Sequence, residues 1–551
     1  MSTNFGILDA IIIFAYLAML TGIGIYFSRR QNNLEEYFLA GRTMGWLPIG
    51  MSLMAALNSG IDYVMQPSFV IIYGLVGTVT VISWFFLYPW AAYVTVPFYR
   101  RLNVLSAYEY LETRFDGKVR TLAAIIFLLW RIGWMATAIY VPALMLSTMS
   151  GGMFSTGLLV AVLGFVLTLY TMLGGIKAVI WTEVIQFCVM LAGLAIMMGV
   201  VIYHVKGGIP AIWQTAAEGG RTAFLTSIPG FGEAGLWEKV GMYFAEPRTA
   251  IGLLIAVVAG RMTTYTGDQV MVQRFQTTKS IKDARQGFII NALGDSVWTL
   301  GLSFVGLGLF AFYQVNSKPA DLPTDRTVPY FLATMFPTGI LGLVLAATLA
   351  ASLASIASAI NSCTTITMVD FYERLVKRRR VVPPEIVRDT QAEGRREVIL
   401  SRVISIIFGI IGMILAANVS HVGNLIEIAK KVIDTFTGPL LGIYLLGMFT
   451  RIGNSSGALL GGILGTATGI YVAFFLKDPQ HKDIIAFIWP SVFAFVITFI
   501  SGYLFSLVLS TVTGKPVSDE NQQLTWWNVM KRPFDDVAPS ERTATARAQK
   551  V

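Results

Sequence analysis

The 551-residue chain is 55% apolar and only 13% charged, with a mean hydropathy of +0.65. Soluble globular domains carry about 25% charged residues, so a soluble multidomain protein, a disordered chain and a disulfide scaffold are all excluded. The net charge of +9 fits the Lys and Arg that collect in cytoplasmic loops better than it fits a nucleic-acid binder.

A membrane-spanning helix needs about 20 mostly apolar residues. Thirteen segments qualify, near 7–28, 47–72, 76–98, 121–148, 153–173, 178–204, 249–272, 286–314, 338–369, 401–419, 427–449, 455–476 and 484–511; they are called spans 1 to 13 below. Span 1 has no basic residues before it and is followed by Arg29 and Arg30. It therefore reads as an uncleaved helix with its N-terminus outside. On that topology 29 of the 41 Lys and Arg fall on inside segments and eight on outside ones, which sets the orientation and leaves the C-terminus cytoplasmic. The longest inside loop, 374–402, contains Lys377-Arg378-Arg379-Arg380 and Pro383-Pro384 and reads as a solvated connector able to touch anionic lipid. The outside stretch after span 6, with Trp213 and Trp237, is expected along the interface, and the tail from 515 onward is expected to be polar apart from a surface anchor at Trp526-Trp527. Cys188 and Cys363 lie in apolar runs and read as buried thiols, while His204, His421 and His481 show no ligand spacing.

Three features inside the membrane require explanation. Charged groups at a span centre cost at least about 2.5–3.5 kcal/mol and default to a functional role. Asp62, Arg131, Arg261 and Asp295 lie deep in spans 2, 4, 7 and 8, whereas Glu183 and Asp268 lie nearer predicted cytoplasmic ends, where structural pairing is the plainer reading. Spans 2 and 7 each carry a break signal: Asn58-Ser59-Gly60 in one, Gly260 and Thr263 to Gly267 in the other. Interrupted helices free backbone carbonyls and half-helix ends for ions and substrates. A spacing of five helices between the breaks is that of two inverted five-helix repeats. Span 9 carries Ser352, Ser355 and Ser358 three apart, a small-residue packing face that also offers hydroxyl ligands.

These features fall on a chain that resembles the sodium/solute symporter family from span 1 to span 13. The stretches carrying the resemblance are Glu36-Tyr37-Phe38-Leu39-Ala40-Gly41-Arg42, Ser106-Ala107-Tyr108-Glu109-Tyr110-Leu111, Gly174 to Gln186 with Trp181-Thr182-Glu183-Val184-Ile185-Gln186, Asp268 to Arg274, and Gly438-Pro439-Leu440-Leu441-Gly442. Ile139-Tyr140-Val141-Pro142-Ala143-Leu144 and Gly438 to Gly442 are most similar to the monocarboxylate, vitamin and iodide branch.

The resemblance implies an all-α, polytopic membrane protein of about 13 helices with a LeuT-type 5+5 inverted repeat, one extra N-terminal helix and two extra C-terminal helices. It divides the chain into 1–43 (first helix and cytoplasmic loop), 44–204 (first repeat), 205–248 (extracellular segment), 249–451 (second repeat), 452–512 (two C-terminal helices) and 513–551 (cytoplasmic tail). It implies Na⁺-coupled symport in the cell membrane of a small organic solute, with no nucleic acid, obligate protein partner or catalytic residue. The main Na⁺ site maps onto Ala55, Asn58, Ala351, Ala354 and Ser355. Ala354 departs from the family, which has a hydroxyl there; Ser352, Ser358 and water are the substitutes, and H⁺ is the alternative ion. Glu183 and Ser358 map onto a second Na⁺ site found in some members. Asp62, Arg131, Arg261 and Asp295 map onto substrate positions. Arginines there favour an organic anion, such as a monocarboxylate or a sugar acid, because a guanidinium binds carboxylate bidentately. A sugar or other neutral solute is the alternative, and a membrane ligand sensor the distant one.

Overall fold

The computed structural model describes residues 4–28, 34–102, 104, 106–225, 228–319, 322, 324–377, 390–419, 425–480, 482–513 and 519–532. Among these residues the chain is helical, with two isolated backbone bridges in place of any sheet. Nine of the described helices are long and apolar enough to cross a membrane. Shorter apolar helices at Ile7–Ile23, Trp46–Leu57, Thr156–Leu169 and Thr435–Phe449 lie where the sequence reading sets spans 1, 2, 5 and 11.

Two glycines turn the chain between adjacent spans. Span 2 ends at Gly74, whose φ of +74° suits a residue without Cβ. A Cβ there would lie 2.6 Å from Arg221 O. The segment that follows span 6 locks this corner: Leu75 N–H donates to Arg221 O at 2.8 Å, and Arg221 Nε–H donates to Ile71 O at 2.8 Å. Gly175, at φ +55°, separates spans 5 and 6 within the helical run Thr156–His204.

Span 9 (Ile340–Ile366) is the centre of the bundle, and every residue from Val344 to Ile366 is buried. It packs against spans 2, 4 and 6. Its N-terminus is capped from span 1: buried Asp9 accepts from Gly339 N–H at 2.7 Å and Gly342 N–H at 2.6 Å. A helix N-terminus leaves such amides unsatisfied, and a carboxylate there also meets the positive end of the dipole.

Spans 12 and 13 (Ser455–Ile470 and Pro490–Thr513) meet through glycines four apart, Gly457, Gly461 and Gly465. Small residues at this spacing let membrane helices approach backbone to backbone. A Cβ at Gly461 would lie 2.6 Å from Thr498 O and 2.7 Å from Gly502 Cα. Gly461→Leu is therefore expected to pry these helices apart and cost about 1–3 kcal/mol, read as a lowered melting temperature in detergent.

Several expectations are corrected. The connector 374–402 is partly helical: span 10 begins at Thr390, well before the predicted 401. Arg29, Arg30, Arg378 to Arg380, Pro383-Pro384, His421 and His481 lie outside the described residues. Trp526 docks on protein, its Nε1–H donating to Val94 O at 3.3 Å and its ring 6.0 Å from Phe449. Cys363 is buried as expected, but Cys188 faces outward from span 6.

Candidate transport site

Span 2 is two helices, Trp46–Leu57 and Asp62–Tyr73. Asn58 ends the first in an extended conformation (φ −95°, ψ 154°). In an unbroken helix the amides of Ser59, Gly60 and Ile61 would bond the carbonyls of Ala55, Ala56 and Leu57. Here they turn to side chains. Ser59 N–H donates to Asp62 Oδ2 at 2.7 Å, Gly60 N–H to Ser352 Oγ at 3.2 Å, and Ile61 N–H to Ser59 Oγ at 3.2 Å. The break thus releases three carbonyls in the protein interior, and such carbonyls can ligate a dehydrated cation.

Span 9 forms the facing wall. Ala351, Ala354 and Ser355 are fully buried. Ser355 Oγ–H donates within its helix to Ala351 O at 3.1 Å and Ser352 O at 3.0 Å, which leaves its lone pairs for an incoming ligand. Gly60 allows the walls to meet: a Cβ there would lie 2.8 Å from Thr348 O and collide with Ser352 Oγ. Gly60→Ala is expected to destabilise the protein by about 1–3 kcal/mol and to weaken Na⁺-dependent stabilisation, both measurable by thermal shift in NaCl against choline chloride.

Two adjoining cavities open beside this break. The larger, about 350 Å³, is lined by Asn58, Asp62, Arg261 and Asp295. The smaller, about 210 Å³, is lined by Ser59, Asp62 and Arg131. Asp62, Trp130 and Thr264 line both, so the four predicted substrate residues line two cavities that adjoin at Asp62. In the larger cavity Arg261 Nη2 is 2.6 Å from Asp295 Oδ2 and its Nη1 donates to Ser83 Oγ at 2.8 Å. The guanidinium lies 4.1 Å from the Trp84 ring centre, and Trp84 Nε1–H donates to the same Asp295 oxygen at 2.9 Å. In the smaller cavity Arg131 is ion-paired to Asp268 and lies 4.6 Å from the ring centre of Trp130 and 5.4 Å from that of Trp134.

Span 7 breaks later than expected. Its helix runs from Ala250 through Gly260 to Gly267, then stops at Asp268 (φ −86°, ψ 114°) and resumes as Gln269–Thr277. The threonine-rich stretch is helical, and the Thr263 and Thr264 hydroxyls bond back within it to Ala259 O and Gly260 O at 3.1 and 3.0 Å. Asp268 caps the resumed helix, its Oδ1 accepting from Val270 N–H at 2.9 Å. The carbonyls released at Thr266 and Gly267 accept from Tyr99 and Tyr108 hydroxyls.

Glu183 and Ser358 come together, as their mapping implies, but around an arginine. Arg274 Nη2 lies 2.6 Å from Glu183 Oε1 and 2.8 Å from Oε2, and contacts Ser358 Oγ. Its Nε–H donates to Ser52 Oγ at 2.8 Å, and Ser52 and Ser358 hydroxyls both donate to Glu183. The guanidinium and carboxylate have no exposed surface. A resident cation thus occupies this carboxylate.

Comparison with known proteins agrees with this architecture. The profile of the sodium:solute symporter family matches residues 37–465. The chain belongs to this family. It is 30% identical over 484 residues to the sodium/sialic acid symporter NanT of Aliivibrio fischeri, covering 85% of this chain and 88% of that protein. It is 29% identical over 488 residues to the human sodium-coupled monocarboxylate transporter 1, covering 85% and 73%. Among solved structures, a Na⁺-coupled sialic acid symporter in a substrate-bound outward-open state superposes with a TM-score of 0.79 at 27% identity, covering 92% of this chain and 98% of the other. This sodium:solute symporter is therefore a multi-pass membrane transporter of LeuT-type fold, not an enzyme, and Na⁺ is its coupling ion.

Sequence reasoning missed Ser83, Trp84 and Arg274 as parts of these clusters. Arg274 lies in the Asp268–Arg274 stretch that carries the family resemblance, but nothing local in the sequence marks its pairing with Glu183. Trp130 beside Arg131 was an available sign of a stacked guanidinium.

Proposed function

We propose that the protein couples Na⁺ entry to uptake of a small organic anion. Na⁺ binds between the break of span 2 and span 9, held by Ala55, Asn58, Ala351, Ala354 and Ser355. The substrate carboxylate meets Arg131, and its polar remainder occupies the larger cavity against Asp62, Arg261 and Asp295. The observation that carries this reading is the adjoining pair of cavities that share Asp62 in their lining, with an arginine in each. The named relatives, sialic acid and monocarboxylate symporters, support a carboxylate as the recognised group.

In this scheme residues 44–204 and 249–451 are the inverted repeats, the N-terminus is outside and the C-terminus is cytoplasmic. Each ligand favours the same conformation and so strengthens the other's binding. The membrane potential adds about 2.3 kcal/mol per charge per 100 mV to the Na⁺ gradient. Arg274 fills the Glu183 and Ser358 cluster, so the scheme uses one Na⁺ site.

A neutral polyol is the second reading, favoured by the pairing of both arginines with aspartates. A thermal-shift panel of N-acetylneuraminate, lactate and glucose, each in NaCl and in choline chloride, separates the two. The anion reading expects stabilisation by one of the acids in NaCl alone. Stabilisation by glucose and by neither acid would reject it.

A further inference from the structure

Gln186 of span 6 is fully buried, and neither its Oε1 nor its Nε2 has a hydrogen-bond partner. A buried carboxamide with no protein partner at either end is rare and calls for a water, a ligand or an ion. Its position follows from the register of spans 6 and 9. At the cytoplasmic end Glu183 contacts Ser358. Toward the other end a Cβ on Gly193 would collide with Ala347. The two helices are therefore antiparallel, with rising numbers in span 6 meeting falling numbers in span 9. Gln186 lies seven residues before Gly193 and hence on the same face, two turns lower. Two turns along span 9 from Ala347 is Ala354. The neighbouring face, at Phe187 and Leu194, packs instead on span 8, against Gly294 and Gly301.

Span 2 reaches the same level. Ser52 contacts Glu183, and Tyr63 OH donates to Met190 O at 2.9 Å, so Ala55 to Asn58 lie between these two contacts. Gln186 thus sits at the junction of spans 2, 6 and 9, across from the alanine that replaces a family hydroxyl. We propose that the Gln186 carboxamide oxygen is a ligand of the Na⁺ site and substitutes for the hydroxyl missing at Ala354. Its –NH₂ donors then satisfy carbonyls of the same junction. A carboxamide oxygen is a hard neutral donor, suited to Na⁺, and the small side chain of Ala354 leaves it room. The inference rests on the proposed Na⁺ site and adds a third helix to it.

The test is Na⁺ binding by purified protein, read as the NaCl concentration that half-saturates thermal stabilisation, with choline chloride holding ionic strength constant. Gln186→Leu is expected to raise that concentration by about tenfold, as loss of one ion ligand does. Gln186→Met, unbranched and apolar, is the second variant and is expected to do the same if the leucine variant does not fold. Adding Ala354→Ser to either should restore Na⁺ affinity most of the way. An unchanged half-saturation in the Gln186 variants, with a raised one in Ser355→Ala, would overturn the role of Gln186 while leaving the site. A double variant no better than the single would overturn the substitution for Ala354. If Ser355→Ala and the Gln186 variants all bind Na⁺ like the wild type, the ion-site reading itself fails.

Discussion

Arg131→Ala is expected to weaken binding of an organic-acid substrate by at least about a hundredfold. Charge-assisted hydrogen bonds contribute about 1.5–3 kcal/mol each, and a carboxylate can take two from one guanidinium. Arg131 is well prepared for this. Trp130 and Trp134 flank its guanidinium with their rings, and its Nε is buried with no partner among the described residues. The single substitution also strands Asp268, which has no exposed surface. Arg131→Met with Asp268→Asn removes both charges, and asparagine remains a competent helix cap. The double variant is expected to fold like the wild type and still to lose the acid while keeping its response to Na⁺. If it binds the acid normally, Arg131 is a structural partner of Asp268 and the neutral-solute reading gains.

The second large effect lies at Glu183. Glu183→Gln leaves the Arg274 guanidinium charged, unexposed and without its counter-ion. Removing one member of such a pair costs about 3–5 kcal/mol. Glu183→Gln is therefore expected to lower the melting temperature and the yield of folded protein. Replacing both members, Glu183→Gln with Arg274→Met, is expected to recover most of the loss, because well-packed neutral groups of similar volume often substitute for a buried pair without penalty. A single variant as stable as wild type would show that the pair carries no such strain.

The membrane class was readable because hydropathy and charge are local properties. The break of span 2 was readable too, since Asn58-Ser59-Gly60 combines a helix stop with a side-chain cap. Gly260 and Thr263 to Gly267 signal a break of span 7 earlier than the one at Asp268. Asp268 is the residue that stops the helix, and its partner Arg131 is 137 residues away, beyond any periodicity. Several basic residues that count toward the inside segments are buried structural donors. Arg114 donates to Gly447 O, Thr450 O and Gly453 O at 3.0, 2.8 and 3.1 Å, closing the end of span 11. Arg100 does the same for Thr278 O and Lys279 O at 2.9 and 3.1 Å. Charge counting therefore assigns these residues to a side of the membrane and says nothing of what they hold together. The Glu183 and Ser358 contact was implied by the family, but Arg274 within it required coordinates.

Gradient-driven uptake tests the central claim most directly. Purified protein in liposomes would be given labelled N-acetylneuraminate or lactate with an inward Na⁺ gradient, an inward choline gradient, or equal Na⁺ on both sides. Concentrative uptake of one acid is expected with the inward Na⁺ gradient alone, and it should vanish in Ser355→Ala and in the Arg131 and Asp268 double variant. Uptake that is indifferent to the Na⁺ gradient and to both sets of substitutions would contradict the account.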